Sequence, residues 1–393
     1  MSYTPYQEIN TTPFSEQLTA ERTTIMELKS IYGISNIRDR VTTTNTGTVT
    51  NDFREYKLNV NGSNSQARIT SVERGRYIPG KSAEYGIGIR TETSTLTGDT
   101  VMRWGALNDT NGMFFGLDSN GIFVSILDNE VEIPRTYQKD WNLDKLDGTG
   151  PSREKIDLTK ANIFQIEYTW YGYGVINFKV QLKTLEGMKI VTCHRYIVDS
   201  QVSVGDPNLP ITVDVNQTGS ANNASLFIAG RQFSVLGSYT PSFRSLSDYV
   251  IGKSVPVLTG EPTPIISFKQ KEAYANVVAK LSGIDLVTNN SVMIEVYVCD
   301  EGDITGASFV TPTRKKTNET SFEVDKSASA VDISNANLLY RLLLKGGDRN
   351  TRTQGSFDNI LLDVPEGKVL VITGFALGST ATVDGVVNLI EEW

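Results

Sequence analysis

The 393-residue sequence holds one histidine, His194, and two cysteines, Cys193 and Cys299. A Ser–His–Asp triad needs its imidazole between a nucleophile and an orienting acid. No Gly-x-Ser-x-Gly elbow is present to supply the nucleophile. Cys193 and His194 are adjacent in a strand pattern, where neighbours leave opposite faces, so they form no dyad. His194 is therefore read as structural. The cysteines lie in different halves, each inside an apolar strand pattern, and are read as small buried hydrophobes rather than a disulfide or metal pair. So few soft ligands make a zinc site unexpected. No P-loop or dinucleotide glycine pattern opens a helix either. No cofactor and no metal is expected. Long apolar runs are also missing, because the most apolar stretch, 369–377, is interrupted by Thr373 and Gly374 and is too short to span a bilayer. The sequence starts without a basic region followed by an apolar core, so no secretory signal is expected, and a soluble protein made in the cytoplasm is. Charge is spread out, with 37 Lys plus Arg against 45 Asp plus Glu, a net of −8. The densest basic run, Arg314-Lys315-Lys316, reads as a solvated loop, and no nucleic-acid or membrane partner is expected.

Strand signal is abundant. Tyr56 to Val60 alternates apolar and polar residues, Asn61-Gly62 is a hairpin turn, and Ala67 to Val72 alternates again. Turns at Asn111-Gly112 and Asn120-Gly121 divide 102–125 into a meander. Short strands joined by such turns cannot make parallel units, which need long crossovers, so the sheets are antiparallel. Further strands read at 83–90, 189–198, 211–215 and 225–230, then at 264–269, 292–298, 338–344, 359–362, 368–376 and 386–391. The expected class is all-β, two antiparallel β-sandwich, jelly-roll-like domains with an N-terminal arm. Residues 1–50 read as the arm and 51–240 as a first, jelly-roll or concanavalin-like sandwich. Residues 241–263, with Pro241, Pro256, Gly260 and Pro262, read as a linker, and 264–393 as a second sandwich. Within the arm, Ser15 to Lys29 reads equally as a short helix or as a segment that orders on a partner.

The centre of the chain is Trp141 to Val180. Its first half is a polar loop punctuated by Asp147-Gly148, Gly150-Pro151 and a turn at Asp157. Its second half alternates, with Phe164, Ile166, Tyr168 and Trp170 on one face and Gln165, Glu167 and Thr169 on the other. Gly172-Tyr173-Gly174 reverses the chain, and Ile176, Phe178, Val180 and Leu182 alternate again. This predicts an antiparallel hairpin with an aromatic inner face.

The run Trp141-Asn142-Leu143-Asp144-Lys145-Leu146-Asp147-Gly148-Thr149-Gly150-Pro151-Ser152 resembles a signature of virion structural proteins of tailed bacteriophages and some large DNA viruses. In that family W-N-(I/V)-D-K-(L/M)-D-G-T-G-P-S-G precedes an L-D-L-T-K segment and an aromatic hairpin. Here Leu158-Thr159-Lys160 and Trp170-Tyr171-Gly172-Tyr173-Gly174 follow in the same order. Arg76 to Lys81 and Pro207 to Pro210 resemble further elements of the family. Arg153 departs from the pattern, standing where the family has glycine. The resemblance implies a non-enzymatic part of a virus particle, a head-decoration, head-fibre or collar component, located in the virion and partnered by other virion proteins. A tail-fibre or baseplate component that binds a host-surface carbohydrate is the alternative. Virion proteins occupy symmetric positions, so a closed homo-oligomer, taken as a trimer, is expected.

Candidate sites are few. Glu167 and Asp99 are the carboxylates weighed for glycosidase chemistry, which needs two roughly 5–9.5 Å apart; solvated strand-face residues are the preferred reading. Asp144 and Asp147 can be imagined around Ca²⁺, but they do not follow the calcium-loop spacing and are read as turn caps. Tyr171 and Tyr173, at the hairpin tip, suit an interface or a stacked sugar. The polar first 50 residues cannot build a core. Tyr3, Tyr6, Phe14, Leu18, Ile25 and Leu28 are therefore expected to dock on a neighbour.

Overall fold

The computed structural model describes residues 21–392, apart from positions 36, 53, 185–186, 199–201, 220–222, 241–242, 259–260, 275–276, 347–352 and 356–361. The chain divides into two compact units, Met1–Tyr239 and Thr240–Trp393. Among the described residues every pairing between named strands is antiparallel, with one isolated parallel bridge from Val257 to Ala376, and helical structure is limited to three-residue 3-10 turns. Both units are β-sandwiches.

The first unit begins with β1 (Arg22–Lys29), β2 (Asp39–Thr44), β3 (Thr48–Asn51), β4 (Tyr56–Asn61) and β5 (Ser65–Arg74). It continues through β6 (Ala83–Thr91), β7 (Thr100–Leu107), β8 (Gly112–Asp118), β9 (Gly121–Asp128), β10 (Val131–Glu132) and β11 (Thr136–Tyr137). β12 (Asn162–Tyr168), β13 (Ile176–Thr184), β14 (Gly187–Tyr196), β15 (Pro210–Gln217) and β16 (Asn223–Leu236) complete it. One sheet has the order β14-β13-β12-β6-β16-β4-β3, with β1 also on β16. The other runs β10-β9-β8-β7-β15-β5-β2, with β11 on β9. Alternation decides which side chains face inward. Phe164 and Phe178 of the first sheet meet Trp104 and Phe115 of the second, with ring centroids 4.9–5.2 Å apart and edge-on. Burying one such ring contributes roughly 1.5–3 kcal/mol, and edge-to-face geometry adds about 1 kcal/mol more.

The second unit holds β17 (Arg244–Val255), β18 (Thr263–Gln270), β19 (Val278–Thr288), β20 (Val292–Cys299), β21 (Ile304–Thr305) and β22 (Phe322–Asp325). β23 (Ala330–Val331), β24 (Asn337–Leu344), β25 (Thr353–Gly355), β26 (Leu362–Asp363), β27 (Val369–Ala376) and β28 (Ala381–Glu392) follow. Its sheets are β17-β28-β19-β25, with β26 on β19, and β22-β18-β27-β20-β24. They enclose an aliphatic core that includes Ile265, Leu281, Ile294, Val296, Ile372 and Leu389.

The structure corrects two expectations. The segment 1–50, read as a docking arm, carries in its described part β1, β2 and all but the last residue of β3, strands of the first sandwich. β1 pairs with the C-terminal half of β16, Leu28 is buried, and Ile25 packs against the core. Ile25 and Leu28 therefore stabilise their own domain. The helix considered over 15–29 is a strand across its described part, because threonine and isoleucine favour the pleated surface. Tyr3, Tyr6, Phe14 and Leu18 lie outside the described residues, as do positions 359–361 of the strand expected over 359–362. The second correction is the linker, since 244–255 is β17, paired along its length with β28.

Candidate functional site

The loop from Trp141 to the start of β12 is built around one buried carboxylate. Asp144 Oδ1 accepts the N–H of Leu146 at 2.8 Å, and Oδ2 accepts that of Ser152 at 2.7 Å. The N–H groups of Leu143 and Asp144 donate to the carbonyl of Cys193, which ties the loop to β14. Trp141 is buried edge-on to Phe115, its indole N–H bonded to the Thr136 carbonyl at 3.1 Å. Leu146, Ile156 and Leu158 are the loop's other buried anchors. Gly150 is required by close approach, because a Cβ there would sit 2.1 Å from Asp144 Oδ1. Asp147 and Asp157 each accept the N–H and hydroxyl of the threonine two residues on. Those hydrogen bonds hold both exposed carboxyls below the usual carboxylate range. Asp144 and Asp147 thus direct their oxygens to the loop's own N–H groups. Arg153, the departure from the family pattern, has φ +60°, the left-handed region that favours glycine.

β12 and β13 form the expected hairpin, with Phe164 opposite Val180, Ile166 opposite Phe178 and Tyr168 opposite Ile176. At its tip Gly174 donates to the Trp170 carbonyl, and a Cβ on Gly174 would collide with the Thr169 carbonyl. Tyr171 and Tyr173 are 55% and 70% exposed. Tyr171 is nonetheless held. Its N–H donates to Tyr77 Oη at 3.1 Å, and the two rings meet edge-on. Tyr77 in turn contacts Trp170 and Tyr168, and Tyr168 stacks on Tyr85, so a row of rings runs from the tip into the core.

The opposite face of the hairpin is polar and closed. Cross-strand register places Ser234, Glu84, Glu167, Asn177 and Arg195 in one row over β16, β6, β12, β13 and β14. Gln232, Gly86, Gln165, Lys179 and Thr192 form the next row. Glu84 and Glu167 are each 2% exposed. Glu84 accepts from Arg22 at 2.7 Å and from the amides of Gln165 and Gln232 at 3.2 Å. Glu167 pairs with Lys179 at 2.7 Å and accepts weakly from Ser82 and Asn177. Burial pushes the Glu84 carboxyl up, with Arg22 opposing and Glu167 adding to the shift. Glu167 therefore has a carboxylate partner, but it is Glu84. Asp99 lies beside Gly219 at the entry to β7, in the other sheet, and has no part in the cluster. Sequence alternation assigns Glu84, Gln165 and Lys179 to the outward face of their strands. Nothing in it says that they meet, because register is a property of the folded sheet.

No protein-family model and no curated protein sequence matches this chain. Among solved structures, a β-1,3-glucanase from Mycobacterium marinum is 10% identical with a TM-score of 0.37, over 54% of this chain and 98% of that one. Peanut lectin is 15% identical with a TM-score of 0.34, over 56% and 100%. Lectin I-B4 of Griffonia simplicifolia, in its metal-free form, is 10% identical with a TM-score of 0.33, over 53% and 99%. All three are far from this chain in sequence, and nothing about its function follows from them.

Proposed function

We propose that this chain is a non-enzymatic structural component of a tailed-phage particle, a head-decoration, head-fibre or collar protein. The observation that carries the reading is the 141–152 run. Its distinctive residues Trp141, Asp144 and Gly150 hold the loop together, and Asp147 caps an exposed turn within it. They are the kind of residues a recurring structural module requires, and they are also the residues of the virion-protein resemblance. Arg153 adds support, because the position at which the family has glycine has a backbone suited to glycine. The carboxylate pair adds more. Glycoside hydrolysis needs two carboxyl groups open to a sugar, whereas Glu84 and Glu167 are sealed and each faces a cation. Mass spectrometry of purified virions followed by immunogold labelling tests the proposal. The chain is expected in the particle, and its absence refutes the reading.

One observation favours a second reading, a tail-fibre or baseplate component that binds a host glycan. Tyr171 presents an exposed ring already fixed by Tyr77, so stacking on a sugar costs little ordering entropy. Binding on a glycan array that disappears on Tyr171→Ala or Tyr173→Ala supports it. An array without any bound glycan rejects it.

A further inference from the structure

A strand at the edge of a sheet presents backbone donors and acceptors that another strand can take up. Proteins guard such edges with charge, proline, bulges or brevity. Most edges among the described strands of this chain are guarded in that way. β3 and β22 have four residues, and β10, β11, β25 and β26 have two or three. β1 carries Arg22, Glu27 and Lys29, and β2 carries Asp39 and Arg40 beside three threonines. β14 has Lys189, His194 and Arg195 with a bulge, and β17 has Arg244, Asp248 and Lys253 with another.

β24 is different. It is eight residues long, Asn337-Leu338-Leu339-Tyr340-Arg341-Leu342-Leu343-Leu344, at the end of the order β22-β18-β27-β20-β24. Its one irregularity is a bulge between the residues opposite Val296 and Tyr297. Leu338 is 42% and Leu343 55% exposed. Leu343 opens a cross-strand row with Met293 and Phe375, both half-buried, and the exposed Leu377 lies just beyond. Its only charge, Arg341, is answered inside the same chain, because its guanidinium donates to Glu295 at 2.5 Å.

We infer that β24 is a pairing edge whose partner is β24 of a second copy of this chain, in antiparallel array. Two features of the strand select a second copy. The segment Leu-Leu-Tyr-Arg-Leu-Leu is apolar at both ends with its charge in the middle, so a reversed copy sets leucines against leucines. The Arg341–Glu295 pair offsets the one charge that would set like strands against each other. The contact joins two five-stranded sheets into one of ten and is self-complementary, hence two-fold. It goes beyond the virion reading and does not depend on it.

Analytical ultracentrifugation of the full chain from about 1 to 100 µM, which spans ordinary association constants, tests the inference. The expected mass is twice 43.3 kDa, falling to 43.3 kDa for Leu343→Lys with an unchanged far-UV circular dichroism spectrum. Leu338→Lys provides the same test at the other end of the strand if the first variant does not fold. A wild-type monomer throughout the range overturns the inference, as does any oligomer whose mass neither substitution lowers.

Discussion

Replacing Asp144 by alanine removes the acceptor of two buried N–H groups, those of Leu146 and Ser152. A buried donor left without a partner costs about 1–3 kcal/mol. Two such donors give roughly 2–6 kcal/mol, and water entering the space left by the carboxylate brings the expected loss to about 3 kcal/mol. The unit concerned spans Met1–Tyr239. For a domain of that size 1 kcal/mol shifts Tm by about 2–4 °C, so Asp144→Ala should lower Tm by about 6–12 °C. Urea unfolding followed by tryptophan fluorescence reads the change directly, since Trp104, Trp141 and Trp170 all lie in this unit. Asp147→Ala is the matched control. It makes the same type of turn bond but is exposed, so its loss should stay within about 0.5 kcal/mol. A loss below about 1 kcal/mol for Asp144→Ala, or equal losses for the two variants, refutes the claim that burial of the Asp144 carboxylate holds the loop.

Two further outcomes follow from the same geometry. Arg153→Gly relieves a left-handed backbone worth about 1–2 kcal/mol, against up to about 1 kcal/mol of extra unfolded-state freedom, so Tm should rise, by up to about 8 °C; a fall in Tm contradicts it. Burial pushes the His194 imidazole below its usual range, and its Nδ1 accepts the Asn142 N–H at 3.4 Å, which requires the neutral ring. Below about pH 6.5 the unfolded chain therefore takes up a proton that the folded chain resists, and this contribution to stability is lost as pH falls through the folded value. His194 is the sole histidine, so its Cε1–H resonance titrates alone, with a midpoint expected below 6.5. A midpoint at or above the ordinary value rules out the neutral, buried ring.

The sequence was most legible where alternation is uninterrupted. The hairpin of β12 and β13 places Phe164, Ile166, Phe178 and Val180 inward as their spacing predicts, and Asp144, Asp147 and Asp157 cap turns as their neighbours suggest. It was least legible at bulges. β1 slips register between Thr24 and Met26, which breaks the two-residue period and leaves a helix-like spacing of apolar residues. β17 slips between Val250 and Lys253, and its inward row Leu246, Asp248 and Val250 is interrupted by the carboxylate that meets Lys326, so its apolar stripe looks like linker. The Glu84–Glu167 pairing was hidden for another reason. Two residues 83 positions apart (167 − 84) become neighbours only through the order β12-β6, which no local pattern encodes.

The pairing of β1 with β16 also bears on how the chain is made. Arg22 meets Leu236, so 214 residues (236 − 22) separate the first described strand from its partner. At roughly 5–20 residues per second, a ribosome takes about 10–40 s to deliver β16 after β1 has emerged. Through that interval β1 has no partner among the described strands, and neither does the inner edge of β4, since β16 also completes that pairing. The arginine, glutamate and lysine of β1, and the lysine and asparagines of β4, keep both segments from pairing with nascent neighbours while they wait. The first sandwich is thus closed by one of its last-made strands, and truncation anywhere before residue 223 leaves the sheet open along its middle.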